Sequence, residues 1–164
     1  MKIIIIEGEN KTGKSTLAKY IVDNYGYEYI KCSQPGDDAF KEYKDIIKSL
    51  DQNKNYVIDR FLYGEFVYGP LYRNKCQLNN AKMFELENMI YKDAIIIYCY
   101  DSASNIAKRF EEEKEEFANA DKIQQALDLF KHTMRASMLP VYKHKMKSDK
   151  DLISTKKIDT ILNV

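Results

Sequence analysis

The 164-residue chain contains no tryptophan, three prolines, three cysteines and two histidines. Cys32, Cys76 and Cys99 are an odd, widely spaced set without a CxxC pair, which argues against a disulfide framework and for reduced thiols in a cytosol-like compartment. His132 and His144 have no cysteine or carboxylate cluster at ligand spacing, so nothing points to zinc. The net charge is only +1 although 31% of residues are charged, so no global field draws the chain to nucleic acid or membrane. Long apolar runs are missing too. Ile3 to Ile6 is too short for a signal peptide or a membrane span, and the expectation is a soluble, cytoplasmic protein.

What is present is enough for one compact domain over residues 1–164, with 45% hydrophobic residues and no repeat or Ser/Gly-rich linker. Residues 2–6 are β-branched and strand-like. Leu17, Ile21 and Val22 then recur at helical spacing up to Tyr25. A second strand is predicted at Tyr27 to Cys32 and a helix from about Asp38 to Leu50. Tyr56 to Ile58 form a third strand and Ala94 to Tyr100 a fourth, whose near-continuous apolar run suits a buried parallel sheet. Leu152 and Ile153 are taken as the fifth. Helices are predicted near Ala81 to Tyr91, Ser104 to Phe110 and Asp121 to Met138, the last with Ile123, Ala126, Leu127, Phe130 and Met134 in register. The class is α/β with a parallel sheet. The acidic tract EEEKEE at 111–116 reads as a solvated helix face, and Lys143 to Lys150 as a wet helix end.

Gly8 to Ser15, GENKTGKS, matches GxxxxGKS at every fixed position and lies between a hydrophobic strand and an amphipathic helix. At ordinary residue frequencies a chance match in a chain of this length is roughly a one-per-cent event. Such a loop turns its N–H groups inward, and the helix that follows adds its positive dipole end, so that together they hold a nucleotide phosphate. Lys14 adds a charge at the β- and γ-phosphates and Ser15 a hydroxyl for Mg²⁺, while Gly8 and Gly13 allow a backbone path that a Cβ would block. Asn10, Lys11, Thr12 and Thr16 complete the candidate nucleotide-binding set, with ATP and Mg²⁺ as the implied cofactors. Asp59 and Arg60 end the third strand at the carboxyl edge of the sheet, where ligands bind in doubly wound folds. Phe40, Tyr43, Tyr63, Tyr68, Tyr72 and Arg73 are available to stack on a base or clamp a phosphate, although core packing is the commoner role for any one aromatic.

Four segments resemble the thymidylate kinase and deoxynucleoside kinase group: EGENKTGKST, Gln34-Pro35-Gly36, VIDRFLYGEFVY and DKIQQALDLFKHTM, together about half the chain and in family order. The resemblance implies the P-loop NTPase fold, a five-stranded parallel sheet of order 2-3-1-4-5 sandwiched by helices, a short lid near 108–120, and a homodimer. It gives Lys14 and Ser15 the ATP and Mg²⁺ roles, Asp59 a metal-linked catalytic role, and Arg60 contact with the acceptor and transferring phosphates. It places Tyr68 at the acceptor pocket, and with Arg60 the acceptor-binding candidates are Gln34, Phe40, Tyr68 and Arg73, Phe40 and Arg73 on their side-chain chemistry alone. The lid segment KRFEEEKEEF is mostly acidic, so Lys11 is expected to supply transition-state charge from the loop itself, with Arg109 a second contributor.

Three departures stand out. Asn10 replaces an acid, Ser33 and Gln34 replace Arg and Glu, and residues 36–55 are too short for the family's long base-binding helix. An amide cannot take a proton from a 5′-hydroxyl, so Gln34 favours a nucleoside monophosphate acceptor such as dTMP, with Asp37 and Asp38 near enough to act for a nucleoside instead. A kinase of modified bases in DNA and an ATP-binding regulatory NTPase are the rivals. The guanine-reading NKxD motif is absent, Asn53-Lys54-Asn55 lacking its acid. Replacing Lys14→Ala is expected to abolish transfer of label from [γ-³²P]ATP, and an active variant would end the phosphate-loop reading.

Overall fold

The computed structural model of the chain describes residues 1–112, 119–145 and 155–162. β1 (Ile3–Glu7) is buried along its whole length and pairs in parallel with β3 (Tyr56–Asp59) on one side and β4 (Ala94–Tyr100) on the other. β2 (Glu28–Lys31) is the edge beside β3, and β5 (Val141–Lys145) the edge beside β4, giving the order β2-β3-β1-β4-β5. This is the expected order. The fifth strand, however, is Val141–Lys145; Leu152 and Ile153 lie outside the described residues. Lys143 and Lys145 are therefore strand residues rather than a helix end, because pairing with β4 outweighs the polar character of VYKHK.

Alternation along β1 divides the core. Ile4 and Ile6 face α1 (Lys14–Tyr25) and α7 (Thr155–Leu162), packing with Leu17, Ile21, Ile158 and Leu162. Ile3 and Ile5 face the opposite layer, built from α2 (Ala39–Ser49), α3 (Tyr63–Tyr68), α4 (Asn80–Ile90) and α6 (Ala120–Ala136). α5 (Ala103–Glu112) packs on α6 through Ile106, Phe110, Ile123 and Leu127. Side-chain caps set several helix starts: Asp38 accepts from the Lys41 N–H, Asn79 from the Lys82 N–H, and Asn119 from the Asp121 and Lys122 N–H groups. Residues 113–118 of the expected lid lie outside the described residues. No described helix is long and apolar enough to cross a membrane.

Two helical pieces have no periodic signal in the sequence. α3 and the π-helical segment Gly69–Arg73 that continues it contain Gly64, Gly69 and Pro70, all poor helix formers. Tertiary contacts hold them instead. Tyr63 and Val67 are buried, and the buried Glu65 carboxylate accepts from the Gln77 N–H (2.9 Å) and pairs with Arg73 (2.5 Å). α7 is anchored on α1 by Asp159, which accepts from the hydroxyls of Tyr20 and Tyr25.

Glu87 on α4 is fully buried and ties three elements together, accepting from the Tyr63 hydroxyl (2.8 Å), the Ser137 hydroxyl and the Met138 N–H (2.9 Å). Glu87→Ala leaves all three donors without a partner, and a loss of about 3 kcal/mol in urea unfolding is expected. A change below about 1 kcal/mol would show that these donors find water instead.

Candidate active site

The loop after β1 turns through three residues with positive φ: Gly8 (142°), Lys11 (59°) and Gly13 (80°). A Cβ at Gly8 would lie 2.0 Å from the carbonyl oxygen of Cys99 on β4, so the first turn is closed to every other residue. Lys11 takes the left-handed conformation as a non-glycine, at a cost of about 1 kcal/mol. The Glu9 carbonyl organises the turn by accepting from the Thr12 hydroxyl and from Lys14 Nζ, both at 2.6 Å. Lys14 is buried; burial, reinforced by the charge of Arg60, lowers its ammonium to about 8.

Across the loop, the end of β3 delivers Asp59. Its Oδ2 accepts from the Ser15 hydroxyl (3.2 Å) and from the Tyr29 hydroxyl of β2 (2.9 Å), while Oδ1 is buried with no hydrogen-bond partner among the described residues. A buried, unsatisfied carboxylate oxygen beside a P-loop serine fits a hard cation or its water shell. Arg60 follows with φ 67°, its N–H bonded to the Ile6 carbonyl (2.9 Å), its guanidinium donating to Asn10 Oδ1 and lying 5.9 Å from the Tyr68 ring.

Two hollows open on this carboxyl edge. A cleft of about 520 Å³ collects Lys11, Lys14, Arg60 and Arg109 around Ser15 and Asp59, with Asn10, Gly13 and Thr16 also on its wall. Thr12 is fully buried and lies outside this lining. Arg109 spans from the Lys11 carbonyl (2.8 Å) to Asp101 (2.5 Å). A second cavity of about 360 Å³ is lined by Gln34, Tyr68, Tyr72 and Arg73. Asn10 and Arg60 line both hollows. Phe40 does not line the second cavity; it packs half-buried against the core, its ring 5.1 Å from Lys44 Nζ and 5.5 Å from Lys82 Nζ. Tyr63 is likewise core, its hydroxyl spent on Glu87.

No protein-family model matches the chain. The SPbeta prophage-derived uncharacterized protein YorR of Bacillus subtilis (strain 168) is 27% identical over 147 residues, covering 87% of each chain. The crystal structure of YorR in complex with phosphorylated GDP superposes with a TM-score of 0.86 at 24% identity, covering 99% of this chain and 96% of YorR. Thymidylate kinase from Candida albicans gives 0.63 at 14% identity, over 99% and 91% of the two chains. Deoxyadenosine kinase from M. mycoides with bound dATP gives 0.60 at 17% identity, over 98% and 97%. The fold is that of the P-loop kinases. In this P-loop kinase fold the two hollows occupy the carboxyl edge of the sheet, where doubly wound folds bind ligands.

Several residues of the site escaped the sequence reading. Glu7 ends β1 just ahead of the loop motif and Glu9 stands at a position its pattern leaves open, yet both line the second cavity. Lys31 lines the cleft from the end of β2, the same edge argument that nominated Asp59. Tyr29 and Glu65 carry no sequence signal. Glu7 accepts from the Phe61 N–H (2.6 Å), and burial raises its carboxyl to about 7 against the opposing pull of that bond, Lys14 and Arg60. Because the folded state holds this proton longer than the unfolded chain, Glu7 lowers stability as pH rises from about 4.5 to about 7. Relative to Glu7→Gln, the wild type is expected to lose roughly 3 kcal/mol across that window in urea titrations; parallel profiles would contradict the buried, protonated carboxyl.

Proposed function

We propose that the chain transfers the γ-phosphoryl group of Mg-ATP to a (deoxy)nucleoside monophosphate, dTMP or a related pyrimidine nucleotide, yielding ADP and a nucleoside diphosphate. The observation that carries this reading is the junction of the cleft and the cavity at Asn10 and Arg60. A donor on the P-loop and an acceptor beyond β3 would meet at one guanidinium. The bound cation would neutralise charge on the β- and γ-phosphates from Ser15 and the Asp59 side. Lys14 and Lys11 supply positive charge on the donor side, and Arg109 braces Lys11 through its carbonyl. An acceptor phosphate oxygen bonds to the γ-phosphorus as the bond to the β,γ-bridging oxygen breaks, and the electron pair leaves with ADP. An ionised phosphate acceptor needs no base, in keeping with an amide at Gln34 on the cavity wall. The bound phosphorylated GDP of YorR and the kinase neighbours support a nucleotide acceptor.

A second reading has its own observation. Glu7 and Glu9 put carboxylates in the acceptor cavity, Glu9 accepting from the Tyr68 hydroxyl (3.2 Å), and a carboxyl near 7 is suited to take the proton of a nucleoside 5′-hydroxyl. Thin-layer analysis of [γ-³²P]ATP reactions with dTMP, GDP, thymidine, deoxyadenosine and DNA separates the two. Label in a nucleoside diphosphate is the expected result, and label in GTP alone overturns the monophosphate acceptor while keeping phosphoryl transfer to a nucleotide. Label in a monophosphate or in DNA favours a hydroxyl acceptor, and release of inorganic phosphate alone ends the kinase proposal. With the active acceptor, Arg60→Ala is expected to lower kcat at least a hundredfold.

A further inference from the structure

β2 is a four-residue edge strand, and Tyr29 on it is about 45% exposed. An edge position of this kind accepts almost any side chain that covers the sheet. Tyr29 does something more specific. In register it stands beside Val57, yet its hydroxyl reaches two positions further to donate to Asp59 Oδ2 at 2.9 Å, the same oxygen that accepts from Ser15 at 3.2 Å. Two hydroxyls thus converge on one oxygen while Oδ1 stays buried without a partner among the described residues. The last torsion of an aspartate is broad, so such a carboxylate is oriented by its hydrogen bonds rather than by its rotamer. Ser15 is committed to the phosphate side of the site, which leaves the phenol as the donor with no other duty there.

We infer that Tyr29 is a positioning residue for the cation of the phosphate cleft: its hydroxyl orients Asp59 so that one carboxylate oxygen is held by protein and the other is kept for the cation or its water. This rests on the reading of Asp59 as metal-linked, and does not depend on which acceptor is used. Groups that orient metal-linked carboxylates commonly change metal affinity by ten- to a hundredfold when removed. A phenylalanine would cover the strand equally well, so the hydroxyl alone is at issue.

The test is Tyr29→Phe with Mn²⁺ as the probe, titrated by electron paramagnetic resonance in the presence of ADP. The apparent Kd for Mn²⁺ is expected to rise about tenfold, and the Mg²⁺ concentration for half-maximal turnover to rise with it. ADP affinity in EDTA and the thermal midpoint stay unchanged. In an Asp59→Asn background the same substitution is expected to have no further effect on Mn²⁺. A Kd within twofold of wild type, an equal loss of ADP affinity in EDTA, or an undiminished effect in the Asp59→Asn background overturns the inference. Phosphoryl transfer with unaltered Mn²⁺ affinity sinks this inference alone. An altered Mn²⁺ affinity with no transfer to any acceptor upholds it and sinks the kinase proposal.

Discussion

The close approach of Gly8 to the Cys99 carbonyl is the contact on which the site depends. Only a residue without a Cβ can leave β1 at that distance from β4, and with φ 142° the chain turns at once into the phosphate loop rather than running on as strand. Everything downstream inherits that turn. Glu9 presents its carbonyl inward to Thr12 and Lys14, and α1 begins at Lys14 with its N-terminal end on the cleft. Because β1 is central and paired on both sides, the loop is fixed relative to β3 and β4 as well. Asp59 and Arg60 are thereby delivered to the opposite wall of the same cleft.

Charge placement follows from that geometry. Lys11, Lys14, Lys31, Arg60 and Arg109 line one cleft in a chain whose net charge is +1, so the positive field is local. Two of these cations are held by neutral oxygens rather than by carboxylates, Lys14 by the Glu9 carbonyl and Arg60 by the Asn10 amide, whereas Arg109 pairs with Asp101. A neutral partner positions a cation without cancelling its charge. Asn10 therefore holds the guanidinium that lines both hollows without neutralising it, as an acid there would.

The second cavity is built differently. Its wall combines Arg60 and Arg73 with Glu7, Glu9 and Glu65, and Arg73 is already paired with Glu65. Arg60 is thus the arginine of this wall whose guanidinium is held by an amide instead of a carboxylate. The π-helical segment and the Glu65 network hold the cavity's outer side where glycine and proline weaken helix formation.

Strong signals were legible in the sequence: β1, β3 and β4 as apolar runs, for both faces of these central strands are buried, and α2 and α6 as amphipathic stripes, for each buries one face. β5 has no strand signal because VYKHK ends in three consecutive polar residues at a sheet edge, and α3 and α7 have none because long-range contacts hold them, not propensity. The sequence by itself determined the phosphate loop, since its glycines, lysine and serine stand at fixed spacing within eight residues between an apolar strand and a helix. Tertiary structure alone decided that Glu7 and Glu9 line the second cavity, that Phe40 turns away from it, and that Tyr29 meets Asp59. These outcomes depend on strand register and sheet order, which bring together side chains thirty or more residues apart and leave no trace in local spacing.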